Sequence, residues 1–248
     1  MAAHRKKSII KRIFLVFIII FLAIGIGFGI YVSDYYHADD SVQDSLTSDE
    51  EVTVTHSDNH YVMSTASPST GFIFYPGGKV EATAYAPLLH KLAENNIFCV
   101  LIEMPCNLAV LNSNAAEEII KDYPKITSWY IGGHSLGGVM AASFASSHQE
   151  EIDGLVLLAS YSTADFSQSD IRVFSAYGSE DGVLNLEKYN EARKNLPSDF
   201  TEFILLGGCH AGFGSYGAQK GDGTPTLSSD EQQSQTVEAL LSWFKEAA

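Results

Sequence analysis

Ser135 stands in the run Gly133-His134-Ser135-Leu136-Gly137, with Gly132 and Gly138 on either side. An apolar stretch precedes this run and a small-residue stretch follows it, so a strand, a sharp turn and a helix are expected there. Such a turn lifts a serine hydroxyl above the end of a sheet, and the glycines let the backbone fold that tightly. A serine hydroxyl becomes nucleophilic when a base takes its proton, and the base needs a carboxylate to orient it. On a strand–turn–helix scaffold these partners follow in the order serine, acid, histidine. Of the eight histidines, His210 alone follows both Ser135 and an acid at the end of a later predicted strand. It lies in Gly207-Gly208-Cys209-His210-Ala211-Gly212, where glycines permit unusual backbone geometry. The acid is expected in Gly178-Ser179-Glu180-Asp181-Gly182, with Asp181 the first choice and Glu180 the reserve. His134 reads as local packing within the turn.

Acyl chemistry also needs donors aimed at the developing oxyanion. One is expected to be the backbone N–H of Leu136, directly after the serine. The second is expected from Pro76-Gly77-Gly78-Lys79, with Gly78 first and Lys79 next, because proline has no N–H to donate. No metal site is expected. The three cysteines, Cys99, Cys106 and Cys209, include no C-x-x-C pair and read as free thiols. A Cys106–Cys209 bridge would require their two loops to meet.

The elements that must position these residues follow an alternating pattern. A short hairpin is expected near 52–63. Strands are expected over 71–75, 97–102, 128–131, 155–159, 172–177 and 202–206. Helices are expected over 81–95, 109–122, 137–147, 186–195 and 230–245. Repeated strand–helix alternation implies a doubly wound, mostly parallel α/β sheet covered on both faces. Chemistry in such sheets collects at the carboxyl ends of the strands, where Ser135, Asp181 and His210 fall.

The N-terminal part is different. Residues 1–12 carry five basic side chains and read as a basic cytoplasmic segment. Residues 13–32 carry no charge; as a helix they would span about 30 Å, the thickness of a bilayer's hydrocarbon core. With basic residues before the stretch and acidic residues after it, the positive-inside rule puts the N-terminus in the cytoplasm and the body outside. An uncleaved single-pass anchor is favoured over a signal peptide, whose apolar core is usually about 7–15 residues. Residues 33–50 are polar and acidic and read as a solvated stalk before a domain at 51–248. Beyond residue 32 the chain holds 10 basic and 30 acidic side chains, a net of −20. Such a field disfavours nucleic acid as a partner.

From residue 51 onward the chain resembles the α/β-hydrolase superfamily, and within it the compact, dienelactone-hydrolase-related bacterial members. The resemblance rests on Phe74-Tyr75-Pro76-Gly77-Gly78, Gly133-His134-Ser135-Leu136-Gly137-Gly138, Gly178-Ser179-Glu180-Asp181-Gly182 and Gly208-Cys209-His210. It implies esterase, lipase or lactonase-type hydrolysis through an acyl-enzyme, without metal or organic cofactor. Dienelactone hydrolases proper use a cysteine nucleophile, and this turn has serine.

The interval 160–170 is loop length, so no large cap domain is expected and the pocket should be open. Glu103, Met104 and Asn107 either line that pocket or cap the next helix. The Gly- and Tyr-rich segment 213–226 is expected over the catalytic face. The expected partner is a small ester or lactone; a cell-surface acyltransferase and a non-catalytic binding module are the alternatives. Oligomeric state is not legible.

Overall fold

The computed structural model describes residues 2–246. The chain divides into one unit ending at Tyr35 and another beginning at Tyr36. The first is a single helix, α1 (Ala2–Ser33). Its portion Ile13–Ser33 is long and apolar enough to cross a membrane, and its large apolar side chains are exposed. The side chains of residues 1–12, including the basic cluster, lie outside the described ones.

The second unit is built on eight strands in the order β1-β2-β4-β3-β5-β6-β7-β8. A hairpin of β1 (Thr53–Ser57) and β2 (His60–Ser64) lies antiparallel on one edge. The other strands run parallel: β3 (Thr70–Tyr75), β4 (Ile97–Ile102), β5 (Ser128–His134), β6 (Gly154–Leu158), β7 (Arg172–Gly178) and β8 (Thr201–Leu205). The helices are α2 (Ala86–Ala93), α3 (Ala116–Asp122), α4 (Leu136–Ser147), α5 (Leu186–Ala192) and α6 (Ser229–Lys245).

Side chains alternate across the pleat, so β3 feeds two cores. Phe72 and Phe74 join Leu88, Leu92, Leu240 and Phe244 of α2 and α6. Ile73 and Tyr75 join Ala116 and Ile119 of α3 and Ala141 and Phe144 of α4 on the opposite face. Burial on both faces explains why the central strands read as unbroken apolar runs.

Two expected helices are shorter than their periodicity implied. In 81–95 a 3-10 turn, Ala82–Tyr85, precedes α2. Pro87 lies in the first turn of α2 and cannot donate to an upstream carbonyl, so a regular helix begins there rather than passing through it. In 109–122 the α-helix begins only at Ala116, after Asn112-Ser113-Asn114. There the buried Tyr75 hydroxyl donates to the Ser113 carbonyl and accepts from the Ala116 N–H.

The solvated stalk is corrected for residues 36–50. Tyr36 donates its N–H to Lys79 O at 2.8 Å and accepts from Glu81 N–H at 2.9 Å. A 3-10 helix, Asp40–Leu46, follows, and Val42 is fully covered. Tyr36, Ala38 and Leu46 pack against the core under α2. The segment is a strap on the body: its few apolar residues are spaced to reach one surface, and burying them outweighs the acidic composition around them.

Candidate active site

Gly132, Gly133 and His134 extend β5 past the expected strand and deliver Ser135 at the carboxyl edge of the sheet. Ser135 has φ 52° and ψ −121°, a region that residues with a side chain rarely occupy. The turn is held from two sides. Ser135 N–H donates to Leu158 O at 2.9 Å, and Ser160 Oγ donates to Ser135 O at 2.8 Å. A methyl group on Gly137 would overlap the carbonyl oxygens of Tyr75 and Pro76. This close approach lets α4 begin directly beneath the serine.

Asp181 and His210 come from the loops after β7 and β8, 29 positions apart in sequence, and meet with Nδ1 at 2.9 Å from Oδ2 and 3.1 Å from Oδ1. Their side chains are only 1% and 2% exposed, so the pair is shielded from water. A carboxylate only accepts, so Nδ1 carries the proton and Nε2 presents its lone pair. Nε2 is buried and has no hydrogen-bond partner among the described residues. Asp181 Oδ1 also accepts the N–H groups of Val183 at 2.9 Å and Leu184 at 2.7 Å, which fixes the carboxylate's orientation. Glu180, the reserve, is exposed and accepts from Ser179 Oγ instead.

Ser135 and His210 line one cavity of about 260 Å³, together with Leu136, Val139, Val183 and Leu184. The glycine-rich loop after β3 reaches the same corner. Gly77 N–H is taken by the Tyr85 hydroxyl at 3.1 Å, and Lys79 N–H by Asn107 O at 2.7 Å. The Gly78 and Leu136 N–H groups are left without a partner among the described hydrogen bonds. The two residues are neighbours, since a Cβ on Gly78 would sit 2.9 Å from Leu136 Cδ2. Lys79, the second choice for the loop donor, is therefore occupied.

His134 is buried beside this constellation, its ring centroid 4.5 Å from that of His210. Its Nδ1 pairs with the Tyr85 hydroxyl at 2.8 Å. Burial first, and the neighbouring His210 second, hold its pKa well below the usual 6.5. His134 is thus a neutral spacer between β5, Tyr85 and the loop of Gly77. Burial also pushes the Cys209 thiol up to about 11, with the Asp222 charge adding to it. All three cysteines are free, with Cys106 exposed and Cys209 buried. No cluster of three or more potential metal ligands occurs among the described residues.

Several loop expectations are revised. Glu103 pairs with His56 at 2.8 Å, Met104 is core, and the Asn107 carbonyl serves Lys79. None of the three lines the cavity beside Ser135. Segment 213–226 does not line it either. Phe213 and Tyr216 are buried, and Asp222 binds the loops that carry Asp181 and His210. Gln232 of α6 grips Cys209 at both N–H (2.9 Å) and C=O (2.8 Å). Sequence reasoning missed both Asp222 and Gln232. Residues 159–171, between β6 and β7, form neither helix nor strand, so nothing larger than a loop intervenes there.

A parallel sheet with a strained serine turn at its carboxyl edge, followed by an acid loop and a histidine loop, defines a hydrolase scaffold of the α/β class. The chain belongs to the alpha/beta hydrolase family, whose sequence profile matches residues 71–234. Its fold is similar to that of a CIB-like hydrolase candidate from Thermoplasma acidophilum, with a TM-score of 0.59 at 14% identity over 79% of this chain and 99% of that one. A lipase candidate from Acinetobacter baumannii gives a TM-score of 0.61 at 11% identity, covering 83% of this chain and 94% of the other. A Thermus thermophilus protein gives 0.57 at 12% identity, covering 78% and 98%. No curated protein sequence matches the chain.

Proposed function

We propose that this hydrolase is a serine enzyme that cleaves a small carboxylic ester or lactone through an acyl-enzyme on Ser135, on a body anchored by residues 13–32. The observation that carries the reading is the water-excluded Asp181–His210 pair, whose unpartnered Nε2 shares a cavity with Ser135. In the first half-reaction His210 Nε2 takes the Ser135 proton as Oγ bonds to the substrate carbonyl carbon. The carbonyl electrons move onto oxygen, which accepts from Gly78 and Leu136 N–H. Asp181 stabilises the imidazolium, which then protonates the departing alkoxide as the C–O bond breaks. Water, activated by the same nitrogen, reverses the sequence and releases the acid. The cavity's volume and its Val139, Val183 and Leu184 lining favour a short acyl or alkyl group over a long chain.

The test is fluorophosphonate labelling and p-nitrophenyl acetate hydrolysis by the full chain in detergent. Wild type labels and turns over, and Ser135→Ala does neither. Undiminished activity in that variant would place the chemistry elsewhere. The basic residues before position 13 orient the helix with its N-terminus in the cytoplasm and the body outside. Membrane fractionation and protease protection of intact cells check this: the full-length chain stays with the membrane and its body is digested from outside.

A further inference from the structure

Asp222 has no place in the chemistry above, yet its carboxylate joins the acid loop to the histidine loop, beside the bond from Gly207 N–H to Ser179 Oγ at 2.8 Å. Its Oδ1 accepts the N–H of His210 at 3.1 Å, of Gly182 at 3.1 Å and of Gly223 at 2.9 Å. Its Oδ2 accepts the N–H of Ala211 at 2.8 Å. Gly182 directly follows Asp181, so one carboxylate holds the backbone next to the acid and the backbone of the histidine. The surrounding chain is shaped for this. Gly221 has φ 89°, and a Cβ on Gly223 would overlap the Glu180 carbonyl oxygen, so the loop at 221–223 lies directly on the acid loop. A Cβ on Gly182 would in turn sit 2.6 Å from Gly221 O. Burial raises the Asp222 pKa, but the backbone donors outweigh it and hold the group below its usual 3.8, so it is charged at neutral pH.

We propose that Asp222 is a positioning residue: it fixes the distance between the loops of Asp181 and His210, and so preorganises the histidine as a base. The neutral amide of asparagine cannot reproduce it. Its oxygen can take the place of Oδ1, but its NH2 would then face the Ala211 N–H, donor against donor. The loop pair then loses one bond and gains a repulsion. Displacing a catalytic group by as little as about 1 Å can cost about 100-fold in rate.

This inference rests on the reading of His210 as the base for Ser135, and the experiment keeps the two apart. Full-chain Asp222→Asn is compared with wild type and Ser135→Ala by kinetics, thermal melting and proton NMR of the downfield His210 Nδ1–H signal. In Asp222→Asn the expected result is a fall in kcat of about 10–100-fold, with KM within threefold by the same reasoning. The downfield signal weakens or broadens, and melting remains cooperative. In Ser135→Ala the downfield signal persists. Activity retained by Ser135→Ala overturns the serine mechanism but leaves the Asp222 clamp readable from the NMR signal. An Asp222→Asn variant with an unchanged signal and kcat within twofold overturns the clamp. If that variant does not fold, amide exchange in the wild type decides. Protected His210 and Ala211 amides support the clamp, and exchange at free-loop rates overturns it.

Discussion

The two ends of the parallel sheet differ in a way that separates space from chemistry. One cavity, of about 720 Å³, lies at the amino ends of β3, β4 and β5, lined by residues such as Ser67, Pro68, Phe98, Tyr123 and Lys125. The cavity at the carboxyl ends is about 260 Å³. The larger one holds no strained nucleophile and no buried acid–base pair. Around the smaller one, Ser135 and Ala159 have positive φ, and His134, Asp181 and His210 are buried. Strain and buried polarity are costly, and they persist where the surrounding packing enforces them. Their concentration at one end, not the volume of a hollow, is what supports the proposal of a site at Ser135.

Four substitutions probe this asymmetry. Ser135→Ala has the largest expected effect, a loss of at least about 1000-fold in kcat/KM against p-nitrophenyl acetate. Next is Gly137→Ala. Its methyl has only the Tyr75 and Pro76 carbonyl oxygens to move into. Overpacking of this kind costs about 1–3 kcal/mol or more, read as a lowered midpoint in urea or thermal unfolding, with activity lost alongside. Third is Leu184→Trp, which fills the small cavity; KM for short esters is expected to rise about tenfold, as about 1.4 kcal/mol of binding would. Smallest is Lys125→Ala in the larger cavity, where turnover is expected to stay within about twofold, as for an ordinary surface change. Activity lost in this last variant, measured with the same ester, would break the contrast.

Proton binding sharpens the comparison further. His134 is kept neutral by burial, so the unfolded chain binds a proton more readily than the folded one. The stability this contributes is complete above pH 6.5 and is lost as pH falls below it toward the depressed folded value. Thermal midpoints should therefore decline between pH 7 and pH 5. In His134→Gln that decline should be shallower, by at most about 1.4 kcal/mol per pH unit for one group. An unchanged slope would show that another group carries the acid sensitivity.

Ser135, Asp181 and His210 were legible because each sits in a local pattern, a glycine turn at the end of an apolar strand, and because chain order restricts the partners. Asp222 lacked such a signal. It lies 12 positions after His210 in a polar loop, and its partners are backbone groups that any sequence supplies. Gly221 and Gly223 on either side were its one trace. The strap at 36–50 was hidden for a related reason. Tyr36, Val42 and Leu46 are too sparse to show a period, and the pairing of Tyr36 with Lys79 and Glu81 depends on a loop more than 40 positions away. The helices at 81–95 and 109–122 were overextended because apolar spacing reports which face is buried, not where a proline or a tyrosine hydroxyl interrupts the backbone ladder.

The strap has a consequence for where the chain can be cut. Proteases cut most readily in exposed, poorly ordered backbone. Here α1 ends at Ser33 and the paired strap begins at Tyr36, leaving Asp34 and Tyr35 between them. A cut must therefore unwind helix or peel strap from the core, and peeling exposes Val42 and disturbs the backbone pairing of Lys79, next to Gly78. Any cut that takes the strap with it would leave a body whose loop at 77–79 is already loosened.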